Sequence, residues 1–196
     1  MADRGNEVTM RRRIVVGLTG SSGARFTLAF LESLRDEPVD VYLVVSRWGR
    51  SVLEQETGRT LEDVRGLVKK VFEDAQLDAP ISSGSVHYEA VVILPCSMNT
   101  LARIAHGFTD TLIARCAHVA LKEGRKLVVC IRETPLSALN LENALRVAQA
   151  GGIVMPMTLS MYLGQDLDGL LRAYALRIQS VLGWAAPDLW RPEEMD

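Results

Sequence analysis

The stretch IVVGLTGSSGARFTLAFLESLR, residues 14–35, decides the fold. Its first five residues are apolar without interruption and rich in β-branched side chains, as suits a strand covered on both faces of a parallel sheet. Thr19-Gly20-Ser21-Ser22-Gly23 then makes a tight polar turn, and over residues 24–35 the apolar positions recur at the 3.6-residue period of a helix. Strand, glycine-rich turn and helix together open a βαβ unit. Strong strand patterns recur outward from there at 39–45 (VDVYLVV), 90–94 (AVVIL) and 127–131 (LVVCI), with a weaker one at 152–155 (GIVM). Helical patterns fill the intervals at 47–56, 61–74, 98–106, 110–123, 137–150 and 165–182. The alternation predicts one α/β domain: a doubly wound, Rossmann-like (flavodoxin-like) parallel sheet with helices on both faces.

Composition narrows the function. The 22 Lys and Arg against 24 Asp and Glu give a net charge of −2, which supplies no broad field for nucleic acid or an anionic membrane. Any anion must therefore be met by local charges or amides. Cys96, Cys116 and Cys130 are odd in number and lack CxxC spacing, which argues against a disulfide framework or a structural zinc site, so they read as small buried hydrophobes. His87, His106 and His118 show no ligand spacing and read as structural or surface residues, and no metal is expected. The start has no apolar core of a signal peptide, and no run reaches the roughly 18 apolar residues of a membrane span, so a cytoplasmic protein is expected. Residues 1–11 read as a flexible polar tail and 12–196 as the single domain, with Arg11, Arg12 and Arg13 a solvated start to the first strand.

In sheets of this type ligands lie at the carboxyl ends of the strands. The turn at 19–24 offers glycines for close approach, hydroxyls, and a helix start whose free amides could cradle a phosphate. It matches neither GxGxxG nor GxxxxGK[ST], which disfavours NAD and ATP, and no GxSxG elbow is present for a serine hydrolase. Ser46 follows the second strand as a natural helix cap, and Pro95-Cys96-Ser97-Met98-Asn99-Thr100 follows the third strong run. Three hydroxyl-rich turns at successive strand ends predict a phosphate-bearing ligand across that edge. Arg132 and Glu133 end the fourth strong run, offering a guanidinium fork and a carboxylate. Arg115 and Lys122 lie seven apart on one helix face.

The blocks TGSSGA (19–24), SRWGRSVLEQET (46–57), SSGS (82–85), PCSMNTLARIAHG (95–107), LIARCAHVALKEGRKLVV (112–129) and RETPLSALNLENAL (132–145) resemble, in order and spacing, the UbiX-type flavin prenyltransferases. The resemblance implies FMN held by Gly20, Ser21, Ser22, Ser46, Ser97, Met98, Asn99, Thr100 and Arg132. It implies dimethylallyl phosphate held by Arg115, Lys122, Tyr162 and Arg177, and catalysis by Ser22, Glu56, Lys122 and Glu133. The implied reaction joins the dimethylallyl group to N5 and C6 of reduced FMN, making prenylated FMN for a UbiD-type decarboxylase. The implied pocket is shared between subunits of a homo-oligomer, a dodecamer in many members, without nucleic acid, membrane or metal. An allylic cation forming as phosphate leaves needs cations on the leaving group and an acid to protonate it, and this residue set supplies both.

The pattern departs from the family at two places. Residues 156–164 (PMTLSMYLG) keep Tyr162 but lack the aromatic that usually precedes it and the proline that usually follows. The usual RAADV is RCAHV here, with His118 in place of the acid, which alters either an oligomer contact or the local charge. Two other readings of the residues stay open at this point: a non-catalytic FMN-binding scaffold, and an FMN-dependent cysteine decarboxylase of the same fold.

Overall fold

The computed structural model describes residues 11–161 and 166–184. Six strands, β1 (Arg12–Leu18), β2 (Val39–Val45), β3 (Lys70–Glu73), β4 (Ala90–Cys96), β5 (Lys126–Ile131) and β6 (Ile153–Pro156), pair in parallel in the order β3-β2-β1-β4-β5-β6. The order reverses between β1 and β4, so the crevice above their carboxyl ends is the switch point where such sheets bind ligands. The helices are α1 (Ala24–Ser33), α2 (Arg47–Thr57), α3 (Leu61–Val64), α4 (Met98–Ala105), α5 (Leu112–Lys122), α6 (Ala138–Gln149) and α7 (Leu167–Val181).

The segment expected to be one helix over 61–74 is instead α3, a short 3-10 turn at Arg65–Leu67, and β3. Thr60 and Asp63 form a reciprocal capping box that starts α3, but Val68 turns extended and Lys69 N–H bonds to the carbonyl of Val41 on β2. Leu61, Val64, Leu67, Val68 and Val71 pack on one core while Phe72 packs on the other, so an apolar spacing that imitates a helix is divided between the two faces of the sheet.

One core, under α1 and α7, holds Leu28, Phe30, Leu31, Tyr174 and Ile178 against β1, β2 and β4. The other, under α4 and α5, holds Leu101, Ile104, Ile113, Cys116 and Val119. Burying side chains of this size contributes about 1.5–3 kcal/mol each. Gly17 admits α5 closely, since a Cβ there would stand 3.0 Å from Ile113. By contrast α6 has one buried residue, Val147, and leaves Leu139, Leu141 and Leu145 exposed. Among the described residues no helix is long and apolar enough to cross a membrane. All three cysteines are free and buried, and burial pushes the Cys116 and Cys130 thiols up to about 12. Arg11 is held by Asp40, at 2.9 Å, and by the carbonyl of Val39, while residues 1–10 of the expected tail lie outside the described residues.

Candidate active site

The turns after β1 and β4 are stitched together across the switch point by Thr19. Its hydroxyl donates to the carbonyl of Pro95 at 2.7 Å and accepts from Ser97 N–H at 2.8 Å. Thr19 is 2% exposed, so these bonds are made away from water. In the sequence Thr19 is signalled only as a hydroxyl in the first position beyond a fully apolar strand.

The turns after β1 and β2 interlock through two glycines. A Cβ on Gly20 would overlap the Cβ of Trp48, and one on Gly49 would overlap the carbonyl of Leu18. Ser46 caps α2 by accepting from Gly49 N–H at 3.0 Å, and its own N–H bonds to Leu18 O. Ser97 caps α4 in the same way, accepting from Thr100 N–H at 3.3 Å with the Thr100 hydroxyl 3.1 Å away. On the other side Ser21 Oγ donates to the carbonyl of Arg132 at 2.9 Å, and Arg132 Nε donates to the carbonyl of Ser22. The nine residues expected to hold FMN, Gly20, Ser21, Ser22, Ser46, Ser97, Met98, Asn99, Thr100 and Arg132, therefore stand along one edge.

One expectation about this edge is corrected. The amides at the start of α1 are not free for a phosphate: the Glu56 carboxylate accepts from Gly23 N–H at 2.9 Å and from Ala24 N–H at 2.8 Å. Gly23, with φ of 130°, carries no capping side chain, and Glu56 arrives from the far end of α2 to neutralise the positive end of α1. Anion binding at this edge is left to hydroxyls, to the Arg132 guanidinium and to the starts of α2 and α4.

Glu133 stands exposed beside Arg132, its carboxylate accepting from Thr134 N–H at 3.0 Å. Lys122 lies elsewhere. It ends α5 near the amino edge of the sheet, with β5 beginning four residues later. A strand rises about 3.3 Å per residue, which separates Lys122 from Glu133 by roughly 20 Å in one chain. Lys122 and Glu133, both expected to act in catalysis, thus do not meet within one protomer. Arg115 lies on the outer face of α5 and donates through Nε to Ser82 O at 3.1 Å, and Arg177 is exposed on α7. Tyr162 and Trp190 lie outside the described residues. Cys96, the last residue of β4, is fully buried and its thiol is raised by burial, which argues against a reactive thiolate. A recess of about 790 Å³ lies between α1 and α7, away from the turns.

Residues present at the edge fit FMN. Gly20 lets the first turn close against Trp48, and the hydroxyls with one guanidinium match a phosphate and a ribityl chain. Such an edge defines a flavin-binding α/β protein, and comparisons with known proteins agree. A family model described as Flavoprotein matches residues 4–173. Flavin prenyltransferase UbiX of Thermoplasma acidophilum is 41% identical over 172 residues, covering 87% of this chain and 94% of that one. A probable UbiX-like flavin prenyltransferase of Streptomyces sp. (strain D7) is 42% identical over 177 residues, covering 89% and 88%. Among solved structures, AnUbiX (PadA1) in complex with FMN and dimethylallyl pyrophosphate is 38% identical with a TM-score of 0.89, covering 92% of this chain and 97% of that one. A dodecameric FMN-dependent UbiX-like decarboxylase from Escherichia coli O157:H7 is 38% identical with a TM-score of 0.87, covering 91% and 98%. An FMN-dependent cysteine decarboxylase, TvaF, is 14% identical with a TM-score of 0.60, which shows the shared fold alone. The chain belongs to the flavin prenyltransferases of the flavoprotein family.

Proposed function

We propose that the protein is a flavin prenyltransferase that joins a dimethylallyl group to N5 and C6 of reduced FMN. The observation that carries this reading is the convergence of residues 20–22, 46, 97–100 and 132 on one sheet edge, with Glu56 and Glu133 at the same edge. FMN is the prenyl acceptor there, and prenylated FMN is the product, supplied to a UbiD-type decarboxylase.

The chemistry asks specific things of the chain. The C1–O bond of dimethylallyl phosphate breaks with its electron pair on the departing phosphate, which Lys122 and Arg115 neutralise and Glu133 helps to protonate. N5 and C6 of the reduced flavin each lose a proton as they bond to the prenyl carbons, and the alkene carbon between those two bonds gains one. Ser22 and Glu56 carry the protons released: Glu56 is fixed as an acceptor by two amides, one of them on the residue after Ser22. Arg177 and Tyr162 complete the donor site in this reading.

Lys122 reaches Glu133 from a second copy of the chain. The exposed leucines of α6, with Phe108 62% exposed, supply apolar surface for such an assembly, and a homo-oligomer, the dodecamer included, follows. A cytoplasmic setting accompanies the reading, supported by three unpaired cysteines. The test is anaerobic incubation with FMN, dithionite and dimethylallyl phosphate or diphosphate. A flavin heavier by one C5H8 unit is expected. Unchanged flavin mass with both donors refutes the reading in favour of a non-catalytic flavin scaffold.

A further inference from the structure

On each side of β1 a helix begins at a capping serine, and the backbone N–H of each serine is pinned to the end of that strand. Ser46 N–H donates to the carbonyl of Leu18 at 3.0 Å, and Ser97 N–H donates to the hydroxyl of Thr19 at 2.8 Å. Consecutive residues of one chain segment thus fix the starts of α2 and α4 relative to each other. The two ties differ in kind. The first runs from backbone to backbone, which no side-chain change removes, whereas the second depends on one hydroxyl.

The reason lies in β4. From Ile93 to Cys96 it takes three steps while β5 takes two, from Val129 to Ile131, so one extra residue bulges out of the ladder. The register with β1 ends at Ile93 as well, and the carbonyls of Leu94 and Pro95 turn to two buried threonines. Thr27 donates to Leu94 O at 2.6 Å and Thr19 to Pro95 O at 2.7 Å, with Thr27 1% and Thr19 2% exposed. Thr19 alone reaches further. Its one hydroxyl proton goes to Pro95, its oxygen is left to accept from Ser97, and its β-branched side chain has few rotamers to adopt. Ser97 is thereby held in the extended conformation of a cap, φ −71° and ψ 154°, with its hydroxyl on Thr100 N–H. That cap leaves the amides of Met98 and Asn99, in the first turn of α4, for a ligand.

We propose that Thr19 is a positioning residue for the flavin: through Ser97 it sets the start of α4 in register with the start of α2, and FMN binds tightly only while that register holds. The inference rests on the reading of this edge as the FMN site and deepens it. Thr27, whose buried bond serves the same bulge without touching Ser97, has a structural part alone.

The experiment sets Thr19→Val against Thr27→Val, each of which removes a buried hydroxyl and keeps the shape of the side chain. Both should lower Tm by several degrees. Thr19→Val should in addition weaken FMN binding by roughly tenfold or more in equilibrium dialysis and raise KM for reduced FMN to match, with kcat at saturating flavin within about threefold of wild type. Thr27→Val should keep FMN affinity within about threefold, and Thr19→Ser, which restores the hydroxyl, should do the same. Hydrogen exchange on the wild-type oligomer needs no variant to fold. Without FMN the Ser97 amide should exchange roughly tenfold or more slowly than those of Met98 and Asn99, and FMN should slow those two. Wild-type FMN affinity in Thr19→Val, an equal loss of affinity in Thr27→Val, or a Ser97 amide that exchanges as fast as its neighbours overturns the proposal. These contrasts in FMN binding without any prenylated flavin from the wild type overturn the prenyltransferase reading and leave the role of Thr19 standing.

Discussion

At the carboxyl edge of the sheet the polar groups are tied to one another: Thr19 to Pro95 and Ser97, Ser21 to Arg132, Glu56 to Gly23 and Ala24. Along the outer face of α5, Arg115 has one bond to a loop carbonyl, Lys122 faces an exposed neighbouring acid, and the Nδ1 of His118 has no partner among the described residues. The first region is finished within one chain. The second is a set of charges held out by a helix whose other faces are buried. In the proposed function, such a division pre-organises the flavin half within one chain and leaves the leaving-group half to assembly.

The largest effect that would break this contrast is expected from Gly20→Val, because the new side chain would overlap Trp48 and part the first two turns. FMN affinity should fall at least 100-fold by equilibrium dialysis, with the fold retained by circular dichroism. A sharper test mixes two inactive variants, Lys122→Ala and Glu133→Gln. If the halves come from different chains, unfolding and reassembling the variants together should restore roughly a quarter of wild-type activity per site, whereas each variant alone should show about 1% or less. Thr19→Val would leave Ser97 N–H and the Pro95 carbonyl without their buried partner, costing about 1–3 kcal/mol and lowering Tm by several degrees in a melt.

The smallest effect is expected at Asp74, where burial holds the carboxyl above its ordinary value despite bonds from Ile113 N–H and Thr111. A raised carboxyl favours the folded state when protonated, so its ionisation costs stability as pH rises from the ordinary carboxylate value through the raised one. Asp74→Asn keeps the acceptor and removes that cost. Tm should rise by about 1–2 °C at neutral pH, and the gain should shrink as the pH falls and the wild-type carboxyl takes up its proton.

What could be read from the sequence follows the range of the forces involved. The strong strand runs and the serine cap at 46 were legible because pattern and cap are set by neighbours within four residues. β3 was hidden because Leu61, Val64, Leu67 and Val71 imitate a helix, and only pairing with β2 makes its last residues a strand. The bond from Glu56 to the start of α1 crosses more than thirty positions, and nothing near Gly23 announces it. The cations of α5 were legible as a face, but a sheet length separates Lys122 from Glu133, and that distance exists only in the folded chain.

The carboxylate seated on α1 has a further consequence for the traffic of the product. A helix start bare of counter-charge would hold any phosphate, including the ordinary anions of the surrounding solution, as well as the tail of the flavin. With Glu56 in that seat, this helix start is already neutralised and gives the flavin tail no share of its charge. Grip is left to the hydroxyls, to one exposed guanidinium and to the starts of α2 and α4. In the proposed function the product is handed to another protein, and an edge with one helix start fewer to hold its phosphate suits that release.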